Sequence, residues 1–235
     1  MKIYAIIMAG GIGKRFGGDV PKQYIDLNGK PVLSYTLETF DKCELINGII
    51  VIYNEAFFEK TKKIVERYGI KKVKKYICGG KTRRESSFNG LNALKDVKPD
   101  IVVIHDAVRP FVTKKIIEDS IDAVKKGYDG VDVGIKTNHT ILHEFENKVL
   151  KIEDREHLYE GQTPQTFKYN KIYKAYLDFD EKKLGPVIDD VHLALKMGLN
   201  IGLVIGDEKN IKITTPIDLF IAEKICQTEF LRRKL

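Results

Sequence analysis

Cysteine is scarce in this chain: Cys43, Cys78 and Cys226 are the only three in 235 residues, odd in number and far apart. None of their spacings suits a zinc ligand set, and they read as reduced thiols of a cytoplasmic protein. Long hydrophobic runs are also missing, since no apolar stretch approaches the ~18 residues of a membrane span. The N-terminus enters an apolar strand directly, without the charged leader and hydrophobic region of an export signal. Blocks of one charge are lacking too. The formal charge is +7, but 40 basic residues are interleaved with 33 acidic ones, which favours an acidic small ligand or plain solubility over a nucleic-acid tract. The basic runs Lys71-Lys72-Val73-Lys74-Lys75 and Arg232-Arg233-Lys234 have no aromatic residues between them for base stacking, so they read as solvated faces. With 43% hydrophobic residues the chain can support a real core, and disorder is not indicated.

What is present is an alternation. Ile3–Met8, Gly48–Tyr53, Lys74–Ile77, Ile101–Ile104, Val131–Ile135 and Ile201–Ile205 read as strands. Between them Val32–Phe40, Glu55–Tyr68, Arg84–Leu94, Lys114–Lys126, Lys171–Leu177 and Val187–Met197 carry helical periodicity, and Pro216 opens a terminal helix. Strands alternating with helices over short connections predict a doubly wound, mostly parallel α/β sheet covered on both faces. In such sheets ligands sit at the carboxyl ends of strands, so the loops after Met8, Ile77, Ile104 and Ile205 should converge on one crevice. One region breaks the pattern. Thr140–Phe145 and Lys148–Ile152, separated by Glu146-Asn147, read as an inserted β-hairpin. It is too small for a core of its own and must pack on something, a dimer partner first of all.

The loop after the first strand, Ala9-Gly10-Gly11-Ile12-Gly13-Lys14-Arg15, exposes backbone N–H groups, and its glycines allow close approach of a polyanion. Lys14, Arg15 and Lys22 add cations. A P-loop is excluded because Arg15 stands where the magnesium-holding hydroxyl belongs, and a dinucleotide fingerprint fails at Phe16, where its third glycine belongs. A plain turn with surface cations stays open. At the end of the fourth strand, His105-Asp106 with Arg109 places a carboxylate where it could hold Mg²⁺ bridging nucleotide phosphates. Asp106 could equally cap the next helix or pair with Arg109, which could otherwise orient that carboxylate or a second phosphate. Gly79-Gly80-Lys81-Thr82-Arg83-Arg84-Glu85-Ser86 makes a pocket able to read a flat base through backbone groups, with Arg83 and Ser86 nearby, or merely a turn. Gly161-Gln162-Thr163-Pro164-Gln165-Thr166-Phe167 reads as a rigid polar loop without an assignable task. Lys212 is a candidate cation facing the crevice, or a snorkelling surface lysine.

Taken together, Ala9-Gly-Gly-Ile-Gly-Lys-Arg15, Pro21-Lys-Gln23, His105-Asp-Ala-Val-Arg-Pro110, Gln162-Thr-Pro-Gln165 and Asn210-Ile-Lys212 closely resemble, in order and spacing, the cytidylyltransferases that act on polyol phosphates. The resemblance runs from residue 3 to about residue 225. It implies a single domain over residues 1–235 of the Rossmann-like nucleotide-diphospho-sugar transferase type, with an inserted arm over residues 137–156 that makes a homodimer. It implies transfer of CMP from CTP to a polyol phosphate with release of pyrophosphate, assisted by Mg²⁺. Residues matching Ala9, Gly10, Gly11 and Gly13 wrap the triphosphate; those matching Arg15, Lys22 and Lys212 are catalytic cations; Asp106 binds the metal. Gly80, Arg83 and Ser86 fall where the family recognises the nucleotide. Asp106 and Arg109 lie on the acceptor side, and the residues matching Thr140 and Arg155 reach the polyol phosphate in the partner's site. No general base is required, because a phosphate monoester is already anionic near pH 7. Tyr159-Glu-Gly-Gln-Thr-Pro-Gln165 looks more like the ribitol-5-phosphate enzymes, whereas those acting on 2-C-methyl-D-erythritol 4-phosphate usually have alanine before the glutamine. Ribitol 5-phosphate is therefore the expected acceptor and methylerythritol 4-phosphate the alternative. His139 before Thr140 departs from the Asp usual in both branches. From a different class, a non-catalytic nucleotide-binding or nucleic-acid-binding module is the competing reading.

Overall fold

The computed structural model describes residues 1–11 and 20–232, with side chains to residue 228. In chain order, β1 (Ile3–Ala9) leads to the short ribbon β2 (Asp26–Leu27) and β3 (Lys30–Pro31), then α1 (Val32–Lys42), β4 (Gly48–Tyr53), α2 (Phe58–Arg67), β5 (Val73–Cys78) and α3 (Arg83–Asn92). The second half runs β6 (Ile101–Asp106), α4 (Lys114–Lys125), β7 (Gly130–Lys136), the hairpin β8 (Leu142–Phe145) and β9 (Lys148–Ile152), and then β10 (Tyr159–Gly161) and β11 (Gln165–Lys168). It closes with α5 (Tyr169–Asp178), α6 (Glu181–Leu184), α7 (Asp190–Lys196), β12 (Ile201–Ile205) and α8 (Pro216–Arg232).

The parallel strands β5, β4, β1 and β6 lie side by side in that order, with β1 in register between Gly48–Tyr53 and Ile101–Asp106. Because the sheet is covered on both faces, β1 is apolar at every position instead of every second one. Its odd residues Ile3, Ala5, Ile7 and Ala9 pack with Leu33, Leu37, Phe40, Ile117 and Ile121 from α1 and α4. On the opposite face Ile6 packs with Leu91, Ile172, Val191 and Leu193 from α3, α5 and α7. The doubly wound expectation holds.

Three local expectations change. The Glu55–Tyr68 helix splits into a 3₁₀ turn, Glu55–Phe57, capped by Asn54, and α2. The Val187–Met197 helix starts only at Asp190, where Asp189 caps it. The segment read as a polar loop is instead an interrupted antiparallel strand: β10 pairs the carboxyl half of β7, and β11 runs between β6 and β7. Gln162, Thr163 and Pro164 form the interruption, with a cis Thr163-Pro164 bond. On its other edge β7 pairs in parallel with β12.

The hairpin folds as a bulged antiparallel pair closed by Glu146 and Asn147, both at positive φ (51° and 63°). That is the turn geometry matched to right-handed strand twist. Every residue of both its strands is exposed.

Candidate active site

Four strand ends open onto one crevice of about 570 Å³, lined by Gly10 and Gly11 after β1, Gly80 to Arg83 after β5, Asp106 and Val108 at the end of β6, and Lys212 beyond β12. Met8, Lys22, Gln23, Asn54 and Ser86 complete it. A slightly larger groove of about 610 Å³ lies between α1, the loop after β6 and α8, but none of the residues singled out for chemistry lines it.

The glycine loop is held from below. Gln23, buried under it, donates from Nε2 to the carbonyls of Ala9 (2.6 Å) and Gly11 (2.9 Å). A Cβ on Gly10 would stand 3.4 Å from Ile52 and 3.5 Å from the backbone of Gly79, so the two loops touch through glycines. Gly13 and Arg15 fall outside the described residues. Lys22 sits in the 3₁₀ turn Lys22–Tyr24 at the crevice wall.

The opposite wall is a capped helix start. Thr82 Oγ1 accepts from the Glu85 amide (3.1 Å) at the N-terminus of α3, while Glu85 reaches back to the Lys81 amide (2.7 Å). This is a shifted form of the reciprocal cap that satisfies orphan helix donors. Ser86 Oγ accepts from the Gly80 amide (3.0 Å) and donates to the Thr82 carbonyl (2.9 Å). Its hydroxyl is spent on shaping the loop. Gly80 cannot carry a side chain, because a Cβ would lie 2.3 Å from that of Glu85.

Asp106 is the only carboxylate among these lining residues, beside Lys22, Lys81, Arg83 and Lys212. Lys212 Nζ lies 2.7 Å from its Oδ2, and Arg83 Nη2 lies 3.8 Å from Oδ1. Burial alone would raise the Asp106 pKa; Lys212 and Arg83 outweigh it and hold the carboxyl well below the usual carboxylate range. It stays ionised. Among the described residues no three His, Cys, Asp or Glu side chains gather into a metal cage. One ionised carboxylate suits Mg²⁺, which takes one or two carboxylates and fills its shell with water and substrate phosphates. Zinc or calcium would ask for more protein ligands.

The turn behind Asp106 is fixed by His105, which is fully buried. Its Nε2 lies 3.2 Å from the Arg109 carbonyl and its Nδ1 lies 2.8 Å from Thr163 Oγ1, which also accepts from the Asp106 amide (3.2 Å). Since a carbonyl only accepts, Nε2 carries the proton and Nδ1 accepts from the threonine hydroxyl. The ring is neutral, and burial lowers its pKa to about 4. Acid therefore favours the unfolded chain, where histidine binds its proton near pH 6.5. Stability should fall as pH drops from 6.5 towards 4, by up to roughly 3 kcal/mol from this residue. Urea titrations across that range should show a flatter pH dependence for His105→Gln by about this amount; parallel curves would refute the assignment.

Arg109 departs from expectation. Its guanidinium is buried and donates to the carbonyls of Asn210 (2.7 Å) and Gly161 (3.3 Å), so it ties β10 to the Lys212 loop and does not line the crevice. Thr140 and Arg155 lie at the base of the hairpin, exposed and apart from the crevice of their own chain; Arg155 donates to the Asn138 carbonyl (3.3 Å). Gln23, Thr82, His105 and Thr163 escaped the sequence reading as structural members of the site. Their only signal was membership of the Pro21-Lys-Gln23, Gly79–Ser86, His105–Pro110 and Gln162-Thr-Pro-Gln165 strings.

A family model described as IspD, 2-C-methyl-D-erythritol 4-phosphate cytidylyltransferase, matches residues 3–228. The chain is 40% identical over 223 residues to the 2-C-methyl-D-erythritol 4-phosphate cytidylyltransferase of Clostridium perfringens, covering 94% of this chain and 97% of that protein. It is 37% identical to a bifunctional ribulose 5-phosphate reductase/CDP-ribitol pyrophosphorylase of Haemophilus influenzae, covering 97% of this chain but 48% of that protein. A solved 4-diphosphocytidyl-2C-methyl-D-erythritol synthase from Anaerococcus prevotii superposes with a TM-score of 0.82 at 32% identity, over 96% of each chain.

Proposed function

The chain belongs to the 2-C-methyl-D-erythritol 4-phosphate cytidylyltransferase family and is a CTP-dependent cytidylyltransferase, and from that premise we propose that its acceptor is 2-C-methyl-D-erythritol 4-phosphate. One observation carries this choice: the family model over residues 3–228 and relatives at 40% identity bear that name, whereas the ribitol-linked relative is 37% identical. The ribitol expectation drawn from Tyr159-Glu-Gly-Gln-Thr-Pro-Gln165 yields to it, because one short string weighs less than the whole chain. Membership of an enzyme family also displaces the binding-module alternative.

In the proposed reaction an oxygen of the acceptor phosphate attacks the α-phosphorus of CTP. A new P–O bond forms there, the bond from the α-phosphorus to the bridging oxygen breaks, and pyrophosphate leaves with the electron pair. Charge accumulates on the equatorial and leaving oxygens, so fixed cations are the main catalytic resource. Lys22, Arg83 and Lys212 supply them from three separate elements of the chain, with Arg15 as a fourth by resemblance. Asp106, with the nucleotide phosphates, would hold Mg²⁺, which when bound neutralises further phosphate charge. Gly11, where a Cβ would meet nothing within 4 Å, leaves its backbone open to the nucleotide, while Gly10 and Gly80 let the loops beside it pack closely. The exposed hairpin docks on a second copy of the chain, bringing Thr140 and Arg155 to the partner's acceptor side. Among the described residues no helix is long and apolar enough to cross a membrane, and a cytoplasmic site of action agrees with that.

Pyrophosphate release should be followed with CTP and Mg²⁺ over methylerythritol 4-phosphate, ribitol 5-phosphate and glycerol 3-phosphate. The first is expected to give the highest kcat/KM, by at least about tenfold, the discrimination that a few buried polar contacts can deliver. A higher value for ribitol 5-phosphate would overturn the acceptor assignment.

A further inference from the structure

Arg83 is shared between two carboxylates that play unequal parts. Its Nη1 lies 2.6 Å from Oδ2 of Asp190, which is fully buried, while its Nη2 stands 3.8 Å from Asp106. The other oxygen of Asp190 accepts from the hydroxyl of buried Tyr176 at 2.5 Å. Asp190 thus has both oxygens occupied, and nothing of it reaches the crevice. We propose that Asp190 is a positioning residue for the transfer reaction, holding Arg83 with one face of its guanidinium turned to the crevice and stopping it from closing onto Asp106. The inference rests on the crevice being the cytidylyl-transfer site.

Asp190 is placed by a chain of contacts that starts in the Gln-Thr-Pro-Gln segment. Gln165, 1% exposed, divides its amide between Asp132 Oδ1 (3.2 Å) and Asp189 Oδ2 (3.0 Å). The other oxygen of Asp189 caps α7 by accepting from the His192 amide (2.8 Å). Asp190 opens the helix one residue later, while Val191, Leu193 and Ala194 anchor it in the core. The first turn of α7 is pinned on both sides. A buried carboxylate is costly unless paired and hydrogen-bonded, and this one is satisfied by a single arginine and a single tyrosine. Tyr176 remains a donor, because burial and the neighbouring Asp190 push its pKa well above the ordinary tyrosine value.

The consequence lies in competition. Arg83 is kept charged, with Asp190 and then Asp106 outweighing its burial. Without Asp190 the carboxylate left paired with it among the described residues is Asp106, whose other oxygen is already in contact with Lys212. The guanidinium would move inward to a direct pair, taking a cation from the phosphates and closing the remaining face of the carboxylate.

The test is a double-mutant cycle on the full-length protein, with Arg83→Ala, Asp190→Asn and the double variant. Turnover with CTP and acceptor and calorimetric CTP binding are both measured, and thermal unfolding confirms the fold. Asp190→Asn keeps the shape of the side chain and can still accept from Tyr176. It is expected to lower kcat/KM roughly 10- to 100-fold, as loss of an orienting partner does, while the double variant is no worse than Arg83→Ala alone within about threefold. Tyr176→Phe, which loosens Asp190 without removing it, should show a smaller fall that also vanishes in the Arg83→Ala background. Full activity of Asp190→Asn, or losses that multiply in the double variant, would overturn the proposal. Should Asp190→Asn fail to fold, Tyr176→Phe alone and with Arg83→Ala decides the matter. Absence of pyrophosphate release from the parent protein with every acceptor would defeat the functional reading instead, and the binding cycle would still report the coupling.

Discussion

Lys22→Ala is expected to lower kcat by roughly 100- to 1,000-fold, the loss seen when one preorganised charge-stabilising group is taken from a transition state. The argument is one of position. Lys22 belongs to a short 3₁₀ turn whose next residue, Gln23, is hydrogen-bonded to two carbonyls of the glycine loop, so the lysine backbone cannot drift relative to the nucleotide loop. It lines the crevice together with Arg83, the first residue of α3, and Lys212, in the loop after β12, so each comes from a separate element. The three cations are therefore not interchangeable. Screening by water is weak between groups converging on a closed triphosphate, which makes one missing charge costly. The fold should survive, because the side chain is only half-buried and contributes nothing to the apolar clusters. Lys115→Ala, whose side chain is 81% exposed beside Asp119, serves as the control for mere loss of a positive charge. Steady-state rates of pyrophosphate release decide it: a Lys22→Ala enzyme within fivefold of the parent would exclude Lys22 from the transition state.

The sequence made the sheet legible for a physical reason. Strands buried on both faces are apolar throughout, so Gly48–Tyr53 is bounded in the fold where its apolar run begins and ends. β11 was not legible for the converse reason. Gln165 and Thr166 are buried but polar, satisfied by Asp132, Asp189 and a 2.8 Å contact between the hydroxyls of Thr166 and Ser120, so no apolar period marks them. The same divide runs through the site. Gly10, Gly11, Gly80, Asp106 and Lys212 follow strand ends and come together as expected. Asp190 and Tyr176, which hold Arg83, come from the flanking helices and are brought in by packing of α5 and α7. Nothing local distinguishes them. Arg109 is the converse case: its place in a recognisable motif suggests contact with ligand, yet its two terminal nitrogens donate to carbonyls within the scaffold.

Charging the hairpin should separate the subunits and silence the enzyme together. Phe145, Val149, Leu150 and Ile152 are 64%, 57%, 66% and 61% exposed, on an arm whose strand residues are all exposed among the described residues. A two-stranded ribbon of this size is marginal by itself, and each large apolar side chain gains roughly 1.5–3 kcal/mol when fully buried. A second copy of the same arm region is the cover we propose. Leu150→Glu together with Phe145→Glu is expected to move sedimentation at tens of micromolar from dimer to monomer, with loss of turnover but retained CTP binding, since the nucleotide half of the crevice is built within one chain. Complementation then asks whose arm serves which crevice. Lys22→Ala spoils a crevice and leaves its arm intact, while Arg155→Ala spoils an arm and leaves its crevice intact. In a heterodimer of the two, one crevice meets one intact arm only if arms reach across the interface. Co-expression of two inactive variants with random pairing should then recover roughly a quarter of parental activity, one good site in half of the dimers. No recovery in a mixture shown to contain heterodimers would place Arg155 at its own chain's site, or at none.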